Sequence, residues 1–404
     1  MKKRIDMHCH PSLKRYLFEK DLRKDNDSSK SFSILYPDFV QVDNPKIRKG
    51  DMDVAIVAHY LPEYKFTTDC RTVKCLLPVL KLIIPGYLDK IEKPAPPESA
   101  FDTTIRIMND FENNILSDVN NDMCIAKDYN DMILKLNEGK RVYLHAIEGA
   151  NSLGNNHADP QTYLDNLQNF SERGVCMITI AHLFPNDIAS CINSFPPDLK
   201  FLLCYKGPTN SQPGLSDIGK RVVERMLELG IIVDLTHCSF ESRDDVYAIN
   251  NARGTNKRAL VYSHVGSNSQ HEHPMNPRDK DIIEIVNSKG VIGTIFNKFW
   301  LTGTYKKPWD CNFNDKGIPD IVQTLESTVK QIETLFPNNP DINPCDYLAI
   351  GSDFDGFVDP LDDINTHSQF DKLEDAIHSS DILRESINDI LSDNMMRVLR
   401  TSWR

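Results

Sequence analysis

The sequence is sparing in the features that would take it outside ordinary globular chemistry. Its 10 cysteines are scattered over 404 residues with no CxxC pair, which excludes a disulfide scaffold and leaves reduced, buried thiols as the expectation. No apolar run approaches the roughly 18 residues of a membrane span. Lys/Arg blocks are absent, and 58 Asp+Glu against 46 Lys+Arg give a net charge of -12, so nucleic acid and anionic lipid are not expected partners. The basic start Met1-Lys2-Lys3-Arg4 runs into Asp6, His8 and His10 where a secretory signal would be apolar. The end, Thr401-Ser402-Trp403-Arg404, is too short and polar for a lipid-anchor signal. A cytoplasmic protein is the expectation. Internal repeats and low-complexity tracts are also missing. The remainder, 40% hydrophobic and 26% charged, supports a large core.

What recurs is a short apolar, β-branched run ending in a polar, chemically capable residue. The runs are Ile5 to His8, Val54 to His59, Val142 to Glu148, Cys176 to His182, Ile231 to His237, Leu260 to His264, Val291 to Asn297 and Tyr347 to Asp353. Near-continuous apolar runs mark strands buried on both faces. Helical stripes lie between them: Val222, Val223, Met226 and Leu227 before Gly230; Ile282, Ile283, Ile285 and Val286 before Gly290. Leu325, Val329, Ile332 and Leu335 form a third, and Leu383, Ile387, Ile390 and Leu391 a fourth. Eight strand candidates alternating with helices predict an α/β fold, a (β/α)8 TIM barrel with long loop insertions, in one domain over residues 1–404. An open doubly wound sheet competes, but no GxGxxG turn follows the first run. Residues 60–139, with Pro94, Pro96 and Pro97, read as an elaborated insertion over the barrel mouth, and 301–319 as a second one bordering it.

The C-terminal ends of barrel strands converge on one face, where active sites sit. This sequence places there His8 and His10 (strand one), Glu148 (three), His182 (four), His237 (five), His264 (six) and Asp353 (eight). Residues i and i+2 of a strand share a face, so His8 and His10 can chelate one ion. Five histidines and two carboxylates gathered in one mouth point to a divalent-metal site.

Asp6-Met7-His8-Cys9-His10, Ile147-Glu148-Gly149, Thr179-Ile180-Ala181-His182 and Val233-Asp234-Leu235-Thr236-His237 resemble, in order and context, the renal-type (membrane) dipeptidase family. Tyr262-Ser263-His264, His273-Pro274-Met275-Asn276 and Gly351-Ser352-Asp353-Phe354-Asp355-Gly356 extend the resemblance, which is weak over 60–139. It implies a zinc peptidase on an amidohydrolase-like barrel, acting on a small dipeptide or similar amide. His8, His10, Glu148 and Asp353 would hold one zinc ion, and Glu148, His237 and His264 a second. His182 would bind the substrate carbonyl, and Asp353 would carry the proton from the attacking water to the leaving amine. The resemblance also implies a homodimer.

Two positions depart from the family pattern. His10 stands where an aspartate is usual, which removes one negative charge. Met275 stands where an arginine grips the substrate carboxylate, and a thioether cannot make that bidentate contact. Asn276 and Arg278 are the candidates to meet the substrate instead. His59 stands open between lining the pocket and a structural role, and Asp355 between orienting a ligand and making a turn. His145 is expected on the opposite strand face from Glu148, and His271 and His273 in a loop. Cys9 and Cys238 are expected in packing, and Asp187 in a loop. Against the hydrolase of dipeptides stand an amidohydrolase of N-acyl amino acids, cyclic amides or lactones, and an inactive barrel serving as a binding or scaffold protein.

Overall fold

The computed structural model describes residues 3–26, 39–70, 72, 90, 99–154, 159–195, 197, 200, 203–210, 212–304, 316–337, 339–356 and 361–403. The proline-rich stretch 93–97 and most of 301–319 beyond residue 304 lie outside them. The strands are β1 (Ile5–Cys9), β2 (Val54–Tyr60), β3 (Met123–Ile125), β4 (Arg141–Glu148), β5 (Val175–Thr179), β6 (Ile232–Asp234), β7 (Leu260–Val265), β8 (Val291–Thr294) and β9 (Leu348–Ile350). All pair in parallel in the order β1-β2-β4-β5-β6-β7-β8-β9. The last closes on the first just beyond β9: Cys9 bridges Phe354, His10 N donates to Phe354 O at 2.7 Å, and Asp353 N to His8 O at 2.9 Å. The fold is a (β/α)8 barrel.

Alternation along the strands makes two shells. Ile5, Met7, Val54, Ile56, Val142, Leu144 and Ala146 fill the barrel interior, whereas Ala55, Val57, Tyr143 and Ile147 pack outward on the helices. The helix Asp217–Leu229 shows why the connecting segments form: Ser216 caps its first turn by accepting from Gly219 N. Its buried stripe is Val222, Val223, Met226 and Leu227, and Gly230 at φ 82° ends it. The helix Asp279–Ser288 ends on Lys289 in the same left-handed conformation, one residue before Gly290. The fourth stripe is not one helix. A 3-10 turn at Arg384–Ser386 and a π-helical turn at Asp389–Asp393 precede the helix Asn394–Ser402. There Asn394 Nδ2 is held by Cys345 O and Leu348 O, tying the chain to β9.

The segment 60–139 is not only a loop over the mouth. It contributes β3, which pairs with Arg141–Tyr143 on the first half of β4, and β5 takes up pairing with β4 from His145. Its helix Ala100–Leu116 packs Phe111 against Tyr143 on the barrel wall, so much of the segment flanks the barrel. Among the described residues no helix is long and apolar enough to cross a membrane.

Candidate metal centre

The strands end earlier than the apolar runs. β5, β6 and β9 stop three residues short of His182, His237 and Asp353, and a turn aims each side chain into the mouth. His237 (φ 67°) and Asp353 (φ 58°) sit in the left-handed region, a strain of roughly 1–3 kcal/mol each that concentrates where function dictates geometry. On β1 the pairing with β2 slips between Asp6 and Cys9, so Met7 stays in the barrel interior while His8 and His10 reach the mouth. Gly149, at φ 92°, turns the chain directly after Glu148; a Cβ there would lie 2.4 Å from Asn151 Oδ1.

Glu148 lies at the centre, 3% exposed. Its Oε1 is 3.3 Å from His8 Nε2, 3.6 Å from His264 Nε2 and 3.7 Å from His237 Nε2. Its Oε2 is 3.4 Å from both His10 Nε2 and His182 Nε2. Asp353 Oδ1 is 3.1 Å from His10 Nε2. The Nε2 atoms of His8 and His10 are 3.0 Å apart, and those of His237 and His264 3.1 Å. Thus the structure brings together all six expected ligands and His182.

Burial, the first cause in each case, lowers the pKa of His10, His237 and His264, His237 and His264 most strongly; for His237 the second cause is neighbouring His182. Burial works against the Glu148 carboxylate, yet His182, His10 and His8 outweigh it and hold its pKa well below the usual range. Burial raises Asp353 well above that range; His8 opposes and Glu148 reinforces the rise. Neutral imidazoles whose lone pairs meet at about 3 Å repel one another unless a cation lies between them. Imidazole nitrogens and carboxylate oxygens are the donors a divalent transition metal takes, so the residues present fit one.

Outer contacts orient these side chains. Ser194 Oγ meets His237 Nδ1 at 2.8 Å, and Ser263 Oγ meets His264 Nδ1 at 2.8 Å. Buried Asp234 accepts from Ser263 Oγ and from Thr179 Oγ1, each at 2.6 Å, which ties three strands together. Asp6 Oδ2 meets His367 Nε2 at 2.6 Å behind β1.

The sequence profile of the membrane dipeptidase family, peptidase family M19, matches residues 3–402. The chain belongs to the membrane dipeptidase family. Dipeptidase verJ of Clonostachys rogersoniana is 26% identical over 261 residues, 65% of this chain and 55% of that protein. Dipeptidase tcpJ of Claviceps purpurea is 26% identical over 278 residues, 69% and 55% of the two. The match therefore spans about half the length of these curated relatives. A metallo peptidase from Rhodobacter sphaeroides, crystallised with a phosphinate mimic of the dipeptide L-Ala-D-Ala, superposes with a TM-score of 0.69 at 17% identity over 99% of both chains. The probable dipeptidase PvdM from Pseudomonas aeruginosa gives 0.68 at 19%, covering 98% of this chain and 94% of that one. At these identities the structural likeness concerns the fold.

Within this member of the membrane dipeptidase family, neither Met275 nor Arg278 faces the centre. Met275 is fully buried in the outer core. Arg278 binds Asp281 at 2.9 Å and Asp244 at 3.2 Å and stacks 4.2 Å over Phe240. Asn276 is not a substrate group in this geometry: its Nδ2 donates to His271 O and Trp300 O, and its Oδ1 accepts from Gly266 N. The amide staples the loop with both of its N–H donors.

His59 does not line the mouth. It faces the helix side, 2.8 Å from His145 Nδ1 and edge-on to Phe111. His145 in turn meets Glu112 at 3.1 Å, on the opposite face from Glu148. Asp355 accepts from Gln41 N and Val42 N, pinning that segment beside β1. Cys9 Sγ donates to Ile56 O, Cys238 is buried, and Asp187 accepts from Tyr163 in a loop. Sequence reasoning missed Glu63 and Tyr60. Glu63 Oε1 is 3.1 Å from His182 Nδ1, and Tyr60 Oη donates to Glu63 Oε2. Tyr60 ends β2 and so was detectable as a strand-end residue; Glu63, three residues on in a loop, carried no periodic signal.

Proposed function

We propose that the chain is a metal-dependent hydrolase of dipeptides, with two zinc ions as cofactors, acting as a homodimer in the cytoplasm. Membership of the membrane dipeptidase family supports the reaction class. The observation that carries it is the single buried carboxylate of Glu148 ringed by five imidazole nitrogens within 3.3–3.7 Å. Eight unpaired cysteines among the described residues are in keeping with a reducing compartment.

His8, His10, Glu148 and Asp353 would hold one ion, and Glu148, His237 and His264 the other. Bound there, zinc would supply Lewis acidity and make hydroxide available near neutral pH. Glu148 stands between the two ligand sets and orients both. Asp353, at the rim of the cluster, accepts the proton of the attacking water and returns it to the leaving amine. Burial opposes a charge on His182, but Glu148 and Glu63 outweigh it and raise its pKa to about 9. His182 Nε2, 3.4 Å from Glu148 Oε2, is aimed where it binds the oxygen that becomes negative during attack.

Met275 favours a second reading, hydrolysis of an N-acyl amino acid, cyclic amide or lactone. Neither Met275 nor the paired Arg278 offers a cation to a free α-carboxylate. Metal analysis of the purified chain together with amino-acid release from a dipeptide panel decides between them. Two zinc ions per chain and dipeptide turnover that chelation abolishes are expected. Bound zinc without dipeptide turnover shifts the reading to the second substrate class. Absence of both metal binding and turnover leaves a binding or scaffold protein and overturns the hydrolase.

A further inference from the structure

We propose that Glu63, held by Tyr60, is a positioning residue that fixes the tautomer and ring plane of His182, so that Nε2 faces Glu148 and the reacting group. The inference rests on the hydrolase reading for its kinetic consequence and on geometry alone for its structural one.

His182 is set apart from the other imidazoles of the mouth. His237 and His264 have neutral serine hydroxyls at Nδ1. Among the described residues, His182 alone has a carboxylate there, Glu63 Oε1 at 3.1 Å. A carboxylate offers only acceptors, so the proton of this contact belongs to Nδ1. The other nitrogen, 3.4 Å from Glu148 Oε2, is then free to present a lone pair or, when the ring is charged, an N–H. Without an acceptor behind it, nothing would hold the neutral ring's proton on Nδ1, and a flip about χ2 would put carbon atoms where Nδ1 and Nε2 now stand.

Two further contacts hold the plane. The His182 ring packs edge-on against Tyr60, with centroids 4.6 Å apart at 69°, and against His237, 4.6 Å apart at 83°. Tyr60 thus acts twice, steering the ring with its face and the carboxylate with its hydroxyl. Glu63 is 4% exposed and His182 7%, so water cannot readily replace either partner. A buried carboxylate away from any surface role is costly to keep, and here its negative charge lies directly behind the imidazole that faces the reaction. With the Nδ1 proton anchored there, Nε2 keeps a fixed direction toward Glu148 and the reacting group.

Glu63→Leu, Glu63→Gln and Tyr60→Phe test this, with dipeptide kinetics, metal content and nitrogen-15 NMR of histidine-labelled protein. Glu63→Leu should lower kcat about 10–100-fold with KM within about threefold and metal content unchanged. Glu63→Gln, which keeps an acceptor oxygen, should recover most of the loss; Tyr60→Phe, which keeps the ring, should fall between. The Nδ1–H resonance of His182, assigned by its disappearance in His182→Gln, should be present in the wild type and lost in Glu63→Leu. A Glu63→Leu protein that retains that resonance, or keeps kcat within threefold, overturns the positioning role. So does a parallel loss of metal and melting temperature in all three variants. If the wild type cleaves no dipeptide, the dipeptidase reading falls while the Nδ1–H resonance alone decides on Glu63.

Discussion

Glu148 does at the residue scale what no neighbour can replace, because both of its oxygens face imidazole nitrogens. An amide keeps the shape but puts an NH2 donor where a cation's ligand must be. Glu148→Gln is therefore expected to lower bound metal and kcat/KM by more than about 100-fold, measured by elemental analysis and steady-state kinetics. Arg278 gives the opposite expectation. Its guanidinium is paired with Asp281 and Asp244 away from the mouth, so Arg278→Ala should leave KM within about twofold and reduce stability by about 1 kcal/mol or less. A KM rising tenfold in that variant would show that Arg278 swings in to meet substrate. The side chains gathered in the mouth were legible in the sequence because each lies at the end of a buried strand or just beyond it. The roles of Asn276 and Arg278 were not, since spacing along a loop says nothing about which way an amide or guanidinium points.

At the scale of elements, β2 and β4 each present one face to the mouth and the other to a helix. The outward face carries the pair His59–His145, backed by Glu112, which also pairs with Arg173. Burial lowers both imidazole pKa values below the usual 6.5, with His145 adding to the effect on His59 and Glu112 opposing it on His145. The unfolded chain therefore binds more protons than the folded one below about pH 6.5. Stability is full above that pH and is lost as pH falls through the window down to the folded values. In chelator-treated protein, His59→Asn should flatten the fall in denaturation midpoint by up to about 1.4 kcal/mol per pH unit. An unchanged slope between pH 7.5 and 5 would remove His59 from this account. Periodicity foresaw the opposite faces of His145 and Glu148, because three strand positions reverse direction. It did not foresee where strands stop, since the last apolar residues continue into turns, as at Asp234 to His237.

Across the whole molecule, the barrel is closed at both ends by different means. The mouth is polar, whereas the opposite end is covered by the helix Asn394–Ser402, whose Met395, Val398 and Leu399, with Trp403, pack on the barrel-interior cluster. Trp403 is 3% exposed, so Trp403→Ala should destabilise the fold by about 3–5 kcal/mol, while kcat of the remaining folded enzyme is unchanged. Thermal melting and active-site-normalised kinetics check the two halves of that expectation. A large drop in kcat at full folding would mean that the base of the barrel sets the geometry of the mouth.

The sequence by itself determined the alternation of strands and helices and the donor types at the strand ends, because burial on both faces and metal chemistry each constrain residues locally. Only tertiary structure decided that His8 meets Asp353 across the closing seam, that Glu63 backs His182, and that Arg278 faces away. The first two join positions far apart in the chain, and all three depend on strand register or turn direction, which local residue patterns do not reveal.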